Sequence, residues 1–198
     1  SVTFTETNGS SPINVDTDVT IVDDDGVYES SEFTVTVLDQ AGGTVANDVL
    51  SFSGNGSPTI SESGTSILCN GSSFATVSGT DTNKTVVMPS SGASISCIES
   101  LVQSVTFNNT DDFEPNDSNR SIEYTFKDSD NNSDSETKTV TIATSNDTPL
   151  FLNYTNGPAW SISMPIFTEG DNAVSIDSDM SLDDDSIDFN GATLEVTI

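Results

Sequence analysis

Along most of this chain, β-branched and aromatic residues alternate with threonine or serine. Val2-Thr3-Phe4-Thr5, Val19-Thr20-Ile21 and Phe33-Thr34-Val35-Thr36-Val37 each place the apolar side chains on one face and Thr on the other. That two-residue period is the mark of a half-buried β-strand. Short strands are expected again at 49–52, 66–69, 74–77, 85–88, 105–107, 122–126 and 137–142. Only 95–105 holds a helical turn, with Ile98, Leu101 and Val102 on one side. Turn formers such as Asp39-Gln40-Ala41-Gly42-Gly43 and Ser53-Gly54-Asn55-Gly56 punctuate the strands. Short alternating strands divided in this way predict an all-β chain, with a β-sandwich the expected architecture.

The second constraint is an internal echo. From Asp16 onward, the opening of the chain recurs at a constant spacing of 161 residues (Asp16 with Asp177). Ile21 meets Leu182, Tyr28 meets Phe189 and Val35 meets Val196, while Asp16, Asp18, Asp23 and Asp24 all meet Asp. Phe4-Thr5-Glu6 has its counterpart in Phe167-Thr168-Glu169. A fixed period indicates tandem repetition. The expected organisation is one full unit over 1–148 and a partial second unit over 149–198, joined where Pro149 enforces an extended approach. A unit cut short in this way lacks the three or more strands that an independent sheet needs. A neighbouring molecule completing it by strand addition, head to tail, is therefore the expected assembly mode. The chain opens without an initiator methionine or a secretion leader, as expected of a processed form or an excerpt.

Thirty-two acidic residues stand against four basic ones, Lys84, Arg120, Lys127 and Lys138, for a formal charge of −28. Nucleic acid and anionic membrane surfaces need a basic footprint and are excluded as partners. No apolar run approaches the ~18 residues of a membrane span. Bound cations, divalent ones above all, would relieve the self-repulsion of such a charge. Ser and Thr make up 58 residues, and Asn-x-Ser/Thr sequons begin at Asn8, Asn55, Asn70, Asn83, Asn108, Asn116, Asn119, Asn131, Asn146 and Asn153. That density predicts N-linked glycans, least of all at Asn146, where Pro149 follows the sequon. Cys69 and Cys97 are the only cysteines. In a secreted-looking chain an even pair predicts a disulfide, worth about 3 kcal/mol by chain entropy.

Four motifs, in order, resemble the tandem cadherin-like and immunoglobulin-like repeats of large extracellular proteins and adhesins. They are Phe4-Thr5-Glu6 before an Asp-rich strand, Ser104-Val105-Thr106-Phe107-Asn108-Asn109-Thr110, Ile122-Glu123-Tyr124-Thr125-Phe126-Lys127-Asp128-Ser129-Asp130, and Asn146-Asp147-Thr148-Pro149. The resemblance covers both ends of the unit well and residues 45–95 poorly. It implies an immunoglobulin/cadherin-like β-sandwich, one full repeat plus the start of a second. It also implies a non-catalytic role and calcium that stiffens the junctions. The cysteine pair, the sequon density and the lack of glycine-rich nonapeptides depart from the bacterial members of that family.

Calcium takes six to eight oxygens at about 2.3–2.6 Å, and carboxylates on adjacent loops supply them. Glu6, Asp23, Asp24 and Asp25 are expected at one end of the first unit, and Glu169, Asp183, Asp184 and Asp185 are their counterparts in the second. The resemblance implies that Asp128, Asp130 and Asp147 meet Glu169 and Asp184 across the junction. The other reading of these acids is as solvated turn formers and edge protectors. Asp128-Ser129-Asp130-Asn131-Asn132 opens like an EF-hand loop, but Ser133 replaces the required Gly and Thr139 the bidentate Glu, so an EF-hand is rejected. With no histidine, Ser-His-Asp triads and His-ligated zinc are excluded. The acidic clusters lie among Ser, Thr and Asn, which is no setting for a raised carboxyl pKa. Tyr124, Tyr154 and Trp160 offer faces for sugar stacking, although their alternating contexts favour core packing. The expectation is a non-enzymatic, extracellular structural glycoprotein that forms a fibre. The alternative is a calcium-stiffened adhesin module whose partner is a carbohydrate or protein receptor.

Overall fold

In the strand Glu32–Leu38, Phe33, Val35 and Val37 are buried while Thr34 and Thr36 are half-exposed, so the alternation in sequence becomes the two faces of a sheet. The computed structural model describes residues 1–6, 11–22, 28–38, 46–54, 56–111, 117–146, 149–153, 168–170, 172–173, 180–184 and 191–195. The chain divides into two compact units, Ser1–Ser145 and Asn146–Ile198.

Unit 1 is built from β1 (Val2–Thr5), β2 (Ile13–Asn14), β3 (Glu32–Leu38), β4 (Asp48–Gly54), β5 (Ile60–Ser63), β6 (Ser66–Cys69), β7 (Ser72–Thr80), β8 (Asn83–Val87), α1 (Ile95–Gln103), β9 (Val105–Asn109), β10 (Arg120–Lys127) and β11 (Ser133–Ala143). The expected all-β class is what is found, with one short helix. The strands hydrogen-bond in the order β1-β11-β10-β3-β8-β7-β6-β5-β4-β9-β2. This large sheet curls nearly closed, like a barrel. Its two ends face each other: Phe4 of β1 and Phe107 of β9 meet edge to face with centroids 5.5 Å apart. Strand β4 makes the bend by changing partners. Asp48–Phe52 pair with β9, whereas Ser53 and Gly54 pair with β5. A Cβ on Gly54 would stand 3.0 Å from the Ser104 Cβ, so glycine lets the chain cross here without displacing Ser104.

Inside the curl, Phe33 packs on Phe52 and Tyr124, and Ile98, Leu101 and Val102 of α1 are buried against the same core. Each such side chain contributes about 1.5–3 kcal/mol on full burial. A disulfide between Cys69 of β6 and Cys97 of α1 ties the helix to the sheet, with Cα atoms 6.0 Å apart. Buried within the unit, Asp48 accepts from Arg120 Nε and from Asn109 Nδ2, both at 2.6 Å.

Two features of this frame leave backbone edges open. Strand β1 runs parallel to β11 but pairs only with Val140–Ala143, so among the described residues Ser133–Thr139 bond to β10 alone. The segment 19–22, of which 19–21 are expected as a strand, has no regular secondary structure and belongs to no ladder among the described residues. Its physical lack is a neighbour. Gln103 Nε2, which donates to the Val19 carbonyl at 2.9 Å, is a side-chain tether and not a strand.

Unit 2, taken by itself, has β12 (Leu150–Asn153) and β13 (Met180–Asp183) as an antiparallel pair. Leu150 faces Asp183, Phe151 faces Leu182, Leu152 faces Ser181 and Asn153 faces Met180.

Candidate functional site

Between the segment 19–22 and the start of β11 lies a cavity of about 530 Å³. That is within the ~300–1,000 Å³ of ligand-sized sites. Val19, Thr20, Ile21 and Val22 form one wall; Phe33, Val102, Tyr124 and Phe126 form the floor; Asp128 and Asn132–Glu136 form the other wall. The floor arises from the alternation of β10, which turns Ile122 and Tyr124 inward. Tyr124 is therefore a core residue and not an exposed sugar platform. Its hydroxyl is buried and has no hydrogen-bond partner. Burial, helped by the charge of Asp16, pushes its phenol far up, so it stays a neutral donor.

Both walls show the same incompleteness. Val19 and Ile21 are half-buried, whereas Thr20 and Val22 point outward, Val22 with 92% of its surface exposed. Ser133–Glu136 are exposed. Among the described residues 19–22 pair with no strand and 133–136 with β10 alone, the arrangement to which another strand adds. Asp16, just ahead of the first wall, is anchored by Lys138 Nζ at 2.7 Å and by the Asp18 N–H at 3.2 Å. Burial acts to raise the Asp16 carboxyl, but these bonds outweigh it and hold it below the usual range. The hydrogen bond to Asp16 in turn raises Lys138. The other three basic side chains are also ion-paired: Lys84 with Glu62, Arg120 with Asp48 and Lys127 with Glu32.

The expected calcium ligands are scattered over the described residues. Glu6 is fully buried at the end of unit 1, where Oε2 accepts from the Ser145 N–H at 2.8 Å and from its Oγ at 2.9 Å. Its Oε1 is buried without a partner. Asp128 closes a turn, accepting from Asn132 N at 2.8 Å and Nδ2 at 2.9 Å; the Asn132 amide bond is the main reason its carboxyl is lowered. Asp130 and Glu169 are exposed, and Asp184 is half-buried. Asp183 lies in β13. Asp23, Asp24, Asp25, Asp147 and Asp185 lie outside the described residues. Among the described residues, no three acidic side chains gather closely enough to share a metal ion.

Of the sequons, Asn8, Asn55 and Asn116 lie outside the described residues, and Asn153 lies in β12. Asn70, Asn83, Asn119, Asn131 and Asn146 are exposed, while Asn108 is half-buried with its Oδ1 enclosed. Asn70 accepts from the Thr59 N–H at 3.1 Å, and Asn83 donates to Thr36 Oγ1 at 3.1 Å.

Sequence reasoning did not foresee the cavity. The signal that could have found it is the alternation of 19–22 together with the kinship of that segment with 180–183, which marks repetition and, less plainly, pairing. No described helix is long and apolar enough to cross a membrane. In comparison with known proteins, the chain matches no family, no curated protein and no solved structure.

Proposed function

We propose that this chain is a non-enzymatic, extracellular structural repeat protein. It forms a glycosylated surface fibre by head-to-tail assembly. The observation that carries the reading is the echo at 161 residues together with what each copy has around it. Unit 1 holds a large core and a segment, 19–22, that pairs with no strand among the described residues, whereas the matching segment of unit 2 is paired. A disulfide suits an oxidising compartment outside the cell. Exposed sequons and an acidic surface supply a hydrated exterior. The test is electron microscopy and sedimentation of the purified protein. Filaments or concentration-dependent oligomers are expected, lost on truncation at residue 148. A monomer at every concentration, or a truncated form that still polymerises, refutes the reading.

A second reading is favoured by Glu6. A buried carboxylate with one oxygen lacking a partner, beside Ser145 of unit 1, suits a cation. In this reading the chain is a calcium-stiffened adhesin module. Glu6 and Asp147 would be the first ligands tried, while both Asp128 oxygens are already engaged by Asn132. Calcium is then expected to raise the melting temperature of the native chain and not that of Glu6→Gln. An unchanged melting temperature in excess calcium over chelator ends this reading.

A further inference from the structure

The two copies differ in one neighbour. In unit 2, β13 is paired antiparallel with β12. Moved back by the repeat spacing, β13 becomes residues 19–22, and β12 becomes a strand that would stand ahead of Ser1. Unit 1 has the acceptor segment and the cavity beside it, and among its described residues no strand pairs with that segment.

Building on the head-to-tail reading, we propose that the cavity is the slot for that strand. Its occupant is the Leu150–Asn153 segment of the preceding copy of this repeat. The register of β12 on β13 fixes the docking: Leu150 against Val22, Phe151 against Ile21, Leu152 against Thr20 and Asn153 against Val19. Paired residues share a sheet face. Phe151 thus falls on the half-buried side with Ile21, towards a floor that holds Phe126 and Tyr124. The same strand offers its other edge to Ser133–Glu136, the stretch of β11 that β1 leaves uncovered. The Tyr124 hydroxyl gains a backbone group to bond.

Three separate observations converge here: the register in unit 2, the two unpaired edges lining one cavity in unit 1, and a buried hydroxyl without a partner in its floor. The chemistry also selects the occupant. Phe33, Val102, Tyr124 and Phe126 in the floor suit a large apolar side chain such as Phe151, the residue that this register turns towards them. The main chain of an extended segment satisfies the open edges, as in β-strand addition generally.

The experiment adds a synthetic peptide of residues 146–156 to the full 198-residue protein and follows backbone hydrogen exchange. Amides of 19–22 and 133–136 are expected to slow at least tenfold with saturable dependence on peptide. The Phe151→Asp and Leu152→Pro peptides are expected to give no protection, and because they leave the acceptor untouched, its folding is not in question. Unchanged exchange in those two segments at millimolar peptide overturns the slot. So does protection given equally by the two altered peptides. The assembly reading is scored apart by sedimentation of the same samples. Oligomers that the peptide neither protects nor disperses defeat the slot and leave assembly standing. A protected slot in a chain that stays monomeric supports the slot and defeats assembly by this chain alone.

Discussion

Residues 19–22 and 180–183 are one segment in two settings. In unit 2 it is a β-strand with a hydrogen-bonded neighbour, and in unit 1 it lines a cavity, tethered by the side chain of Gln103. Both copies alternate, and both hold an Asp-rich stretch directly after them. Among the described residues, what separates them is the presence or absence of a strand to pair with. The lesson is that alternation selects which face is apolar, whereas a ladder needs a partner that local sequence does not supply. A copy with no described partner strand, beside a cavity with an apolar floor, then reads as an acceptor.

The comparison requires that unit 1 be stable without its extra strand, and the largest predicted effect tests that. Arg120→Met leaves the Asp48 carboxylate buried with only Asn109 to bond it. Denaturant unfolding of unit 1 is expected to lose about 3–5 kcal/mol, the usual result of stripping one partner from a buried pair. A loss below ~1 kcal/mol would mean that the core of unit 1 is not organised around this pair.

A smaller effect sharpens the comparison directly. Val22 is almost wholly exposed and stands where unit 2 has Asp183. Val22→Asp is expected to change the stability of unit 1 by no more than about 0.5 kcal/mol, as for an exposed site without contacts. A large loss would show that Val22 is already packed, and the segment would no longer be a free wall.

The smallest effect concerns the anchor ahead of that wall. The Asp16 carboxyl is held below the usual range, so its contribution is present above about pH 4, the ordinary carboxylate value. It is lost as pH falls through the lowered value in the folded state. Lys138 is raised, so its contribution is present below about pH 10 and is lost as pH rises through its raised folded value. Lys138→Met should flatten both limbs of a stability-versus-pH profile by a fraction of a kcal/mol, because the lysine is solvent-screened. A profile identical to that of the native chain would remove any stabilising role for the pair.

Much of the fold was legible because core-facing alternation is a local property. The strands over 33–37, 66–69 and 122–126, and the helical face of Ile98, Leu101 and Val102, follow from side-chain period alone. The Cys69–Cys97 bridge was legible by arithmetic, since an even pair left one pairing. Strands β2 and β5 were not, because Ile13-Asn14 and Ile60-Ser61-Glu62-Ser63 carry one apolar residue each and are held by their partners. The burial of Asp48 with Arg120 was equally hidden. Among so many acids nothing local marks Asp48 as one that the fold encloses. Glu6 was picked out by its motif, but that one oxygen has no partner is a property of the packed end of unit 1 and of no single segment.

The most direct measurement uses a longer chain in which residues 146–163 are repeated ahead of Ser1, which restores to unit 1 the strand that unit 2 possesses. Thermal unfolding and hydrogen exchange are then compared with the 198-residue protein. The expected result is a rise of several degrees in the melting temperature of unit 1 and protection of amides 19–22 to the level of 180–183. An unchanged melting temperature, with 19–22 exchanging as fast as before, would contradict the acceptor role of that segment.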